Sequence, residues 1–278
     1  VFVLAVLGLA VVQTGLLKLN GAFKSELWSY ADEPAHYVTS LMIHDYLAGF
    51  PAGDPETFAE NYYTHYPKVA IGHWPPVYHT LLAGWMLLFG VMKTSVIFCM
   101  AFLTVLLAAM LFSELKKYFA TSLAFLLSAL FLTMPLVQQY SAMAMTEILI
   151  AVFIFAAVKA WSRYLEEGHA RDSLLFGILS SLAIMTKGTG LLLVFVPVFS
   201  VLFTRRYNWV GRFSFWMPAL IVALLCGPYY WWTLDMVRNG WQQQTPGLAF
   251  TAAAVRSYTA AFIRQGGWFL YGAAAAGF

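Results

Sequence analysis

Ser95-Val-Ile-Phe-Cys-Met-Ala-Phe-Leu-Thr-Val-Leu-Leu-Ala-Ala-Met-Leu-Phe112 carries no charge over 18 consecutive residues. As a helix at 1.5 Å per residue it is about 27 Å long, close to the ~30 Å hydrocarbon core of a bilayer. Further apolar runs fall at 1–17, 76–91, 121–136, 147–162, 173–186, 189–203 and 213–233. Composition agrees: 61% of the 278 residues are hydrophobic and only 10% are charged, where a soluble domain carries about 25%. Mean hydropathy is +0.71. The fold class expected is therefore all-α, a polytopic transmembrane helical bundle. A net charge of +3, dispersed along the chain, excludes a nucleic-acid surface. Cys99 and Cys226 lie inside apolar runs and read as small hydrophobes, with no disulfide inferred. The chain opens on Val1 and closes on Phe278 inside apolar stretches, so a fragment of a longer chain is expected, with no signal peptide assigned.

Segment 18–75 breaks the pattern: it is polar and rich in Tyr, His, Pro and acids. If 76–91 lies along the interface instead of crossing, loops 113–120, 159–172 and 204–212 share one face. They hold Lys116, Lys117, Lys159, Arg163, Arg171, Arg205, Arg206 and Arg212. Dense basic residues in short loops mark the cytoplasmic side. The expectation is a single domain over 1–278 with about seven spans, an outer loop 18–94 carrying two interfacial amphipathic helices, and an outer tail 235–278. Trp28, Tyr30 and Tyr229-Tyr230-Trp231-Trp232 are expected to belt the outer boundary, and Trp161, Tyr164, Tyr207 and Trp209 the inner one. Asp235 and Arg238 read as boundary charges. The short pair 173–186 and 189–203 should leave Lys187-Gly188 below the outer surface. A lysine there costs about 2.5–3.5 kcal/mol unless it meets an anion or water, so Lys187 needs a partner.

The outer loop opens with Tyr30-Ala-Asp-Glu-Pro-Ala-His-Tyr37. Asp32 can cap a helix over about 33–48 with Pro34 in its first turn. The loop returns through Tyr62-Tyr63-Thr-His65-Tyr66-Pro-Lys68 to Gly72-His73-Trp74-Pro75-Pro76-Val-Tyr78-His79, where two prolines start another helix. Two helix N-termini on one face bring two positive dipole ends, a seat suited to phosphate. His36, His65, His73 and His79 lack metal-ligand spacing, although His36 and His73 can approach each other. No cofactor is assigned, and a divalent metal stays open.

The Asp32-Glu33 pair after the first span, the Pro-Pro start closing the outer loop, Thr146-Glu147 opening a span and Met185-Thr-Lys-Gly188 between two short spans together resemble the GT-C superfamily of membrane glycosyltransferases. The nearest branches are the protein O-mannosyltransferases and the lipid A aminoarabinose transferases. The resemblance implies a polyprenyl-phosphate-linked sugar donor, transfer with inversion on the periplasmic or luminal face of the cell membrane, and Asp32 as the base. Glu33 and Glu147 join Asp32 as catalytic candidates. Lys187, His73 and Lys68 are the donor-phosphate candidates, and His36, Tyr37, Tyr63, His65 and Tyr78 the acceptor- or sugar-binding ones. The acceptor is a lipid, glycan or protein hydroxyl, and membrane lipids surround the whole. The chain departs from the aminoarabinose branch in having His73-Trp74 where Glu-Lys precedes the Pro-Pro pair. It also lacks the arginine many relatives carry over 95–100, Lys93 being the nearest cation. Each motif has a plainer reading: Asp32 as an N-cap, Glu147 as a carboxylate favoured by a helix dipole, and the aromatics as interfacial belt. The alternative function is a non-catalytic lipid or solute transporter; an oligosaccharyl transferase lacks an acidic metal-binding set here.

Overall fold

A computed structural model describes residues 1–278 except 28–29, 50–52, 71, 241–246 and 277–278, and omits the helical side chains of 237–240, 262, 265–271 and 273–276. Trp28 and the Arg238 side chain thus lie outside the described residues. The described residues form helices and connecting turns: α1 (Phe2–Leu19), α2 (Glu33–Ala48), α3 (Pro55–His65), α4 (Val77–Phe89), α5 (Lys93–Leu115), α6 (Thr121–Leu132), α7 (Pro135–Ser141), α8 (Glu147–Glu167), α9 (Ala170–Ile184), α10 (Phe195–Thr204), α11 (Phe213–Gly240) and α12 (Leu248–Ala276). A 3-10 segment, Gly188–Val194, joins α9 to α10.

Among the described residues, four helices are long and apolar enough to cross a bilayer: α1, α5, α8 and residues Phe213–Met236 of α11. A fifth crossing exists if α6 and α7, bent by 66°, count as one. The bend has a local cause. Met134 precedes Pro135 and takes an extended conformation (φ −62°, ψ 132°), as the proline ring demands. The expected pair 173–186 and 189–203 appears as α9 and Gly188–Thr204, both short of a full crossing. Among the described residues, segment 18–94 carries α2, α3, α4 and the start of α5, and the segment after Asp235 is largely helical.

Contacts between loops sort the bundle into two ends. At one end Lys159 pairs with Glu114 at 2.9 Å and Arg163 with Asp172 at 3.1 Å. Arg206 there donates to the Leu165 carbonyl. The basic loops therefore do share a face. Trp161, Tyr164 and Trp209, expected in an interfacial belt, are instead buried at 2, 0 and 7% exposure. Their rings pack on each other and on Phe176 and Phe215. Two of their three polar tips are satisfied internally, Trp161 Nε1 by Ser200 and the Tyr164 hydroxyl by Ser214, each at 2.8 Å; that satisfaction lets such large amphipathic rings serve as core. Tyr207, Trp231 and Trp232 are exposed.

At the other end, α1 carries a polar residue that sequence inspection passed over. Gln13 is fully buried, donates to Ser141 Oγ and accepts from Gln138 Nε2, both at 2.9 Å. Gln138 also accepts from Asn20 at 3.0 Å. Each group finds a partner, as burial in an apolar bundle requires. Close backbone approach holds the short pair: a Cβ on Gly190 would stand 2.6 Å from Ala183 C and Ile184 N. Gly190→Ala should therefore cost about 1–3 kcal/mol through overpacking, read as a lower thermal midpoint of the solubilised protein. An unchanged midpoint would show that the 3-10 segment does not lie so tightly on α9.

Candidate active site

The site grows from three chain breaks that meet at one end. The first is the start of α2. Asp32 occupies the N-cap position but makes no side-chain cap bond. Its half-exposed carboxylate has no hydrogen bond or ion pair among the described residues. The plain capping reading is thus not what the geometry shows. Glu33 is fully buried and accepts from the Ala144 amide at 2.9 Å, which pins α2 to the turn before α8.

The second break is the 185–188 tip. Lys187 is extended (φ −158°) ahead of Gly188, and its Nζ lies 2.6 Å from Glu147 Oε1. The first residue of α8 thus supplies the partner that Lys187 requires, with about a third of the lysine and a fifth of the glutamate side chain exposed. Two charges so placed at the margin of an apolar bundle offset each other's desolvation. The third break is the Pro75-Pro76 start of α4. Val77 N donates to the Met185 carbonyl at 3.0 Å, seating the N-terminus of α4 on the lysine tip. The end of α11 closes the arrangement: Tyr229 donates to the Trp74 carbonyl at 2.8 Å and Tyr230 to that of Ile184 at 3.1 Å.

Between these breaks sits a buried histidine pair. His36 Nδ1 and His79 Nε2 are 3.0 Å apart, and the His36 ring packs on Trp74 at 4.5 Å. The sequence suggested His36 near His73; His73 instead meets Trp74 edge-on, and His79 takes the place. Both partners lie in the first turn of a proline-started helix, a shared signal that could have found the pair. In the neutral pair one of the two facing nitrogens carries the proton and the other accepts it. Burial, then His79, then Lys187 lower His36 to about 3. Burial lowers His79 to about 4 against the opposing Pro75 carbonyl.

The remaining candidates divide. Tyr78 is fully buried, its hydroxyl 3.6 Å from Met100 Sδ, and feels Glu147 and Glu33 from within the core. The Tyr37 hydroxyl is taken by the Val91 carbonyl at 2.8 Å. Lys68 and His65 are exposed, with His65 bonded within α3 to Asn61 at 3.0 Å. Tyr63 is exposed on α3 and lines a cavity beside the site. Lys93, the cation nearest the missing arginine, pairs with Glu26. Tyr140, unremarked in the sequence, stands in the field of Glu147, Lys187 and Tyr30. Among the described residues, the group with ligand atoms close enough for a metal is Glu167, His169 and Asp172, within 4.8 Å. It lies at the opposite end, and Arg163 and Arg171 already pair with Asp172 there.

Residues 73–232 match the model of the dolichyl-phosphate-mannose-protein mannosyltransferase family. The chain belongs to this family. The match takes in more than half of the chain, including His73, Tyr78, Glu147 and Lys187, and starts downstream of Asp32, Glu33 and His36. No curated protein and no solved structure matches significantly. With its membrane-spanning helices, the protein is a membrane glycosyltransferase of the mannosyltransferase type.

The histidine pair makes a testable pH signature. Both rings titrate below the usual 6.5 in the folded chain, so between those values the unfolded chain binds more protons. Their contribution to stability is complete above about pH 6.5 and is lost as the pH falls toward about 4. The thermal midpoint of the wild type should drop over this window more steeply than that of His36→Asn. Equal slopes would mean that the rings are not buried neutral.

Proposed function

We propose that the protein transfers a sugar, mannose by its family, from a polyprenyl-phosphate-linked donor to an acceptor hydroxyl on the non-cytoplasmic face. One observation carries the reading: the unpaired carboxylate at the start of α2 and the Lys187 tip are fastened to the same end of the bundle, through Glu33 to Ala144 and through Val77 to Met185. The dense basic loops cluster at the opposite end, which supports an outward-facing site.

In this mechanism the acceptor oxygen attacks the anomeric carbon as its bond to the phosphate oxygen breaks. The electron pair leaves on the polyprenyl phosphate, the hydroxyl proton passes to Asp32, and the configuration inverts. A half-exposed carboxylate without competing partners among the described residues suits proton acceptance. A phosphate leaving group needs positive charge more than it needs acid, and Lys187 with the N-terminal end of α4 provides it. Glu33, already bonded to a backbone amide, positions α2. Glu147 orients Lys187. A cavity of about 820 Å³ opens at the same end, lined by α2, α3 and the end of α11; a one-sided recess of this kind favours an enzyme over a transporter with a path through both leaflets.

Asp32→Asn should reduce transfer from a labelled polyprenyl-phosphate mannose in membrane vesicles by about a hundred- to ten-thousand-fold, with donor binding retained. Transfer at the wild-type rate would refute Asp32 as the base.

A further inference from the structure

The cavity of about 820 Å³ is next to the site: Pro76 and His79 at the start of α4 line it, and Lys187 is not among its lining residues. The cavity follows α2 from the site outward. His36, Thr39 and Ile43 are spaced by three and four residues and so lie on one helical stripe. His36 touches Trp74 and His79, and both of those also line the cavity, as do Thr39 and Ile43. Ile43 is about 10 Å farther along the helix than His36. The floor is fixed by hydrogen bonds: Ala70 N donates to Thr39 Oγ1 at 3.1 Å and Tyr229 to the Trp74 carbonyl at 2.8 Å. At Gly72 (φ +75°) any side chain would collide with the sulfur of Met236.

The lining chemistry is specific. Its charged residues are Asp54, Glu56 and Glu60, all acidic. Asp54 is occupied as the cap of α3, accepting from Thr57 N at 2.9 Å. Glu56 and Glu60 are one turn apart on α3, exposed, and have no partner among the described residues. Like charges at that spacing cost an isolated helix about 0.2–0.5 kcal/mol. An anionic ligand is repelled from such a rim. Hydroxyl groups, in contrast, can donate to both carboxylates. The same cavity is lined by Tyr63, Trp74, Tyr229 and Trp232, rings on which the apolar side of a sugar can stack. Trp232 and Met236 are also half-exposed at the end of a membrane-spanning helix, which suits a lipid tail leaving sideways.

We infer that this cavity is the acceptor site, and that its ligand is the uncharged carbohydrate headgroup of a glycolipid. The inference rests on the glycosyltransferase reading and gives that reading its acceptor class. The sugar stacks among Trp74, Tyr63 and Trp232, its hydroxyls bond Glu56 and Glu60, and its reactive hydroxyl reaches past Trp74 toward the start of α2.

The test introduces one thiol, Ala59→Cys, half-buried in the cavity wall on α3; the native Cys99 and Cys226 are buried. In native membrane vesicles, maleimide labelling of that thiol is followed with octyl glucoside below its micellar concentration, octyl phosphate or octanol. Octyl glucoside should slow labelling several-fold while octyl phosphate and octanol leave it unchanged. Glu60→Lys in the same background should abolish protection by octyl glucoside and admit octyl phosphate. Equal protection by octanol or octyl phosphate in the parent, or no protection by octyl glucoside, would overturn the inference. Protection requires no turnover: a protected thiol together with a fully active Asp32→Asn would preserve the site and remove the proposed base. An unprotected thiol with an inactive Asp32→Asn would do the reverse.

Discussion

The Glu147–Lys187 ion pair, at 2.6 Å, is the contact on which the rest of the site depends. Lys187 sits where two short segments turn at the margin of an apolar bundle, and a lone ammonium there would pull the turn outward into water. The carboxylate at the start of α8 keeps it in place. Once the tip is fixed, the Met185 carbonyl can receive Val77 N, and the N-terminus of α4 docks beside the lysine. The α2 helix is drawn to the same place from another direction, because Glu33 holds the amide of Ala144, three residues before Glu147. A single pair of opposite charges thus gathers three helix starts.

The surrounding bundle supplies rigidity by means suited to a membrane, where apolar contact alone discriminates little between lipid and protein. Small residues bring backbones together: Gly190 lies against the end of α9, and Gly177 has Pro218 Cα of α11 only 2.9 Å from where its Cβ would be. Hydrogen bonds in the apolar interior do the rest, as in the Gln13–Ser141–Gln138 set. At the basic end an aromatic core of Trp161, Tyr164 and Trp209 joins α8 to α9 and α11. The Lys187 tip is therefore held in a braced bundle, which a site relying on charge placement requires.

Much of this was legible in the chain. Pro34 and the Pro75-Pro76 pair announced two helix starts, and the structure begins α2 at Glu33 and α4 at Val77. The shortness of the runs around Lys187 implied an awkward charge in need of a partner. What composition and spacing do not carry is pairing between distant segments. Glu147 answers Lys187 across 40 residues, and His79 rather than His73 answers His36 across 43. Aromatics also mislead, since a tryptophan suits an interface and a core equally until its N–H partner is known; Ser200 decides the matter for Trp161. Gln13 was hidden by the apolar run around it. The α3 helix was obscured by the polar character of its loop, although Asp54-Pro55 is a capped helix start.

The central claim is that Lys187 holds the donor phosphate and is not merely half of a structural pair. It is tested by measuring equilibrium binding of a polyprenyl phosphate in lipid nanodiscs to the wild type, Lys187→Met, Glu147→Gln and the double variant. Removing both charges together spares the fold an unpaired ion. The account predicts that both variants lacking Lys187 lose at least about tenfold in affinity, about 1.4 kcal/mol, and that Glu147→Gln, which leaves the ammonium without its anchor, also binds more weakly than the wild type. A double variant that binds polyprenyl phosphate like the wild type would contradict it.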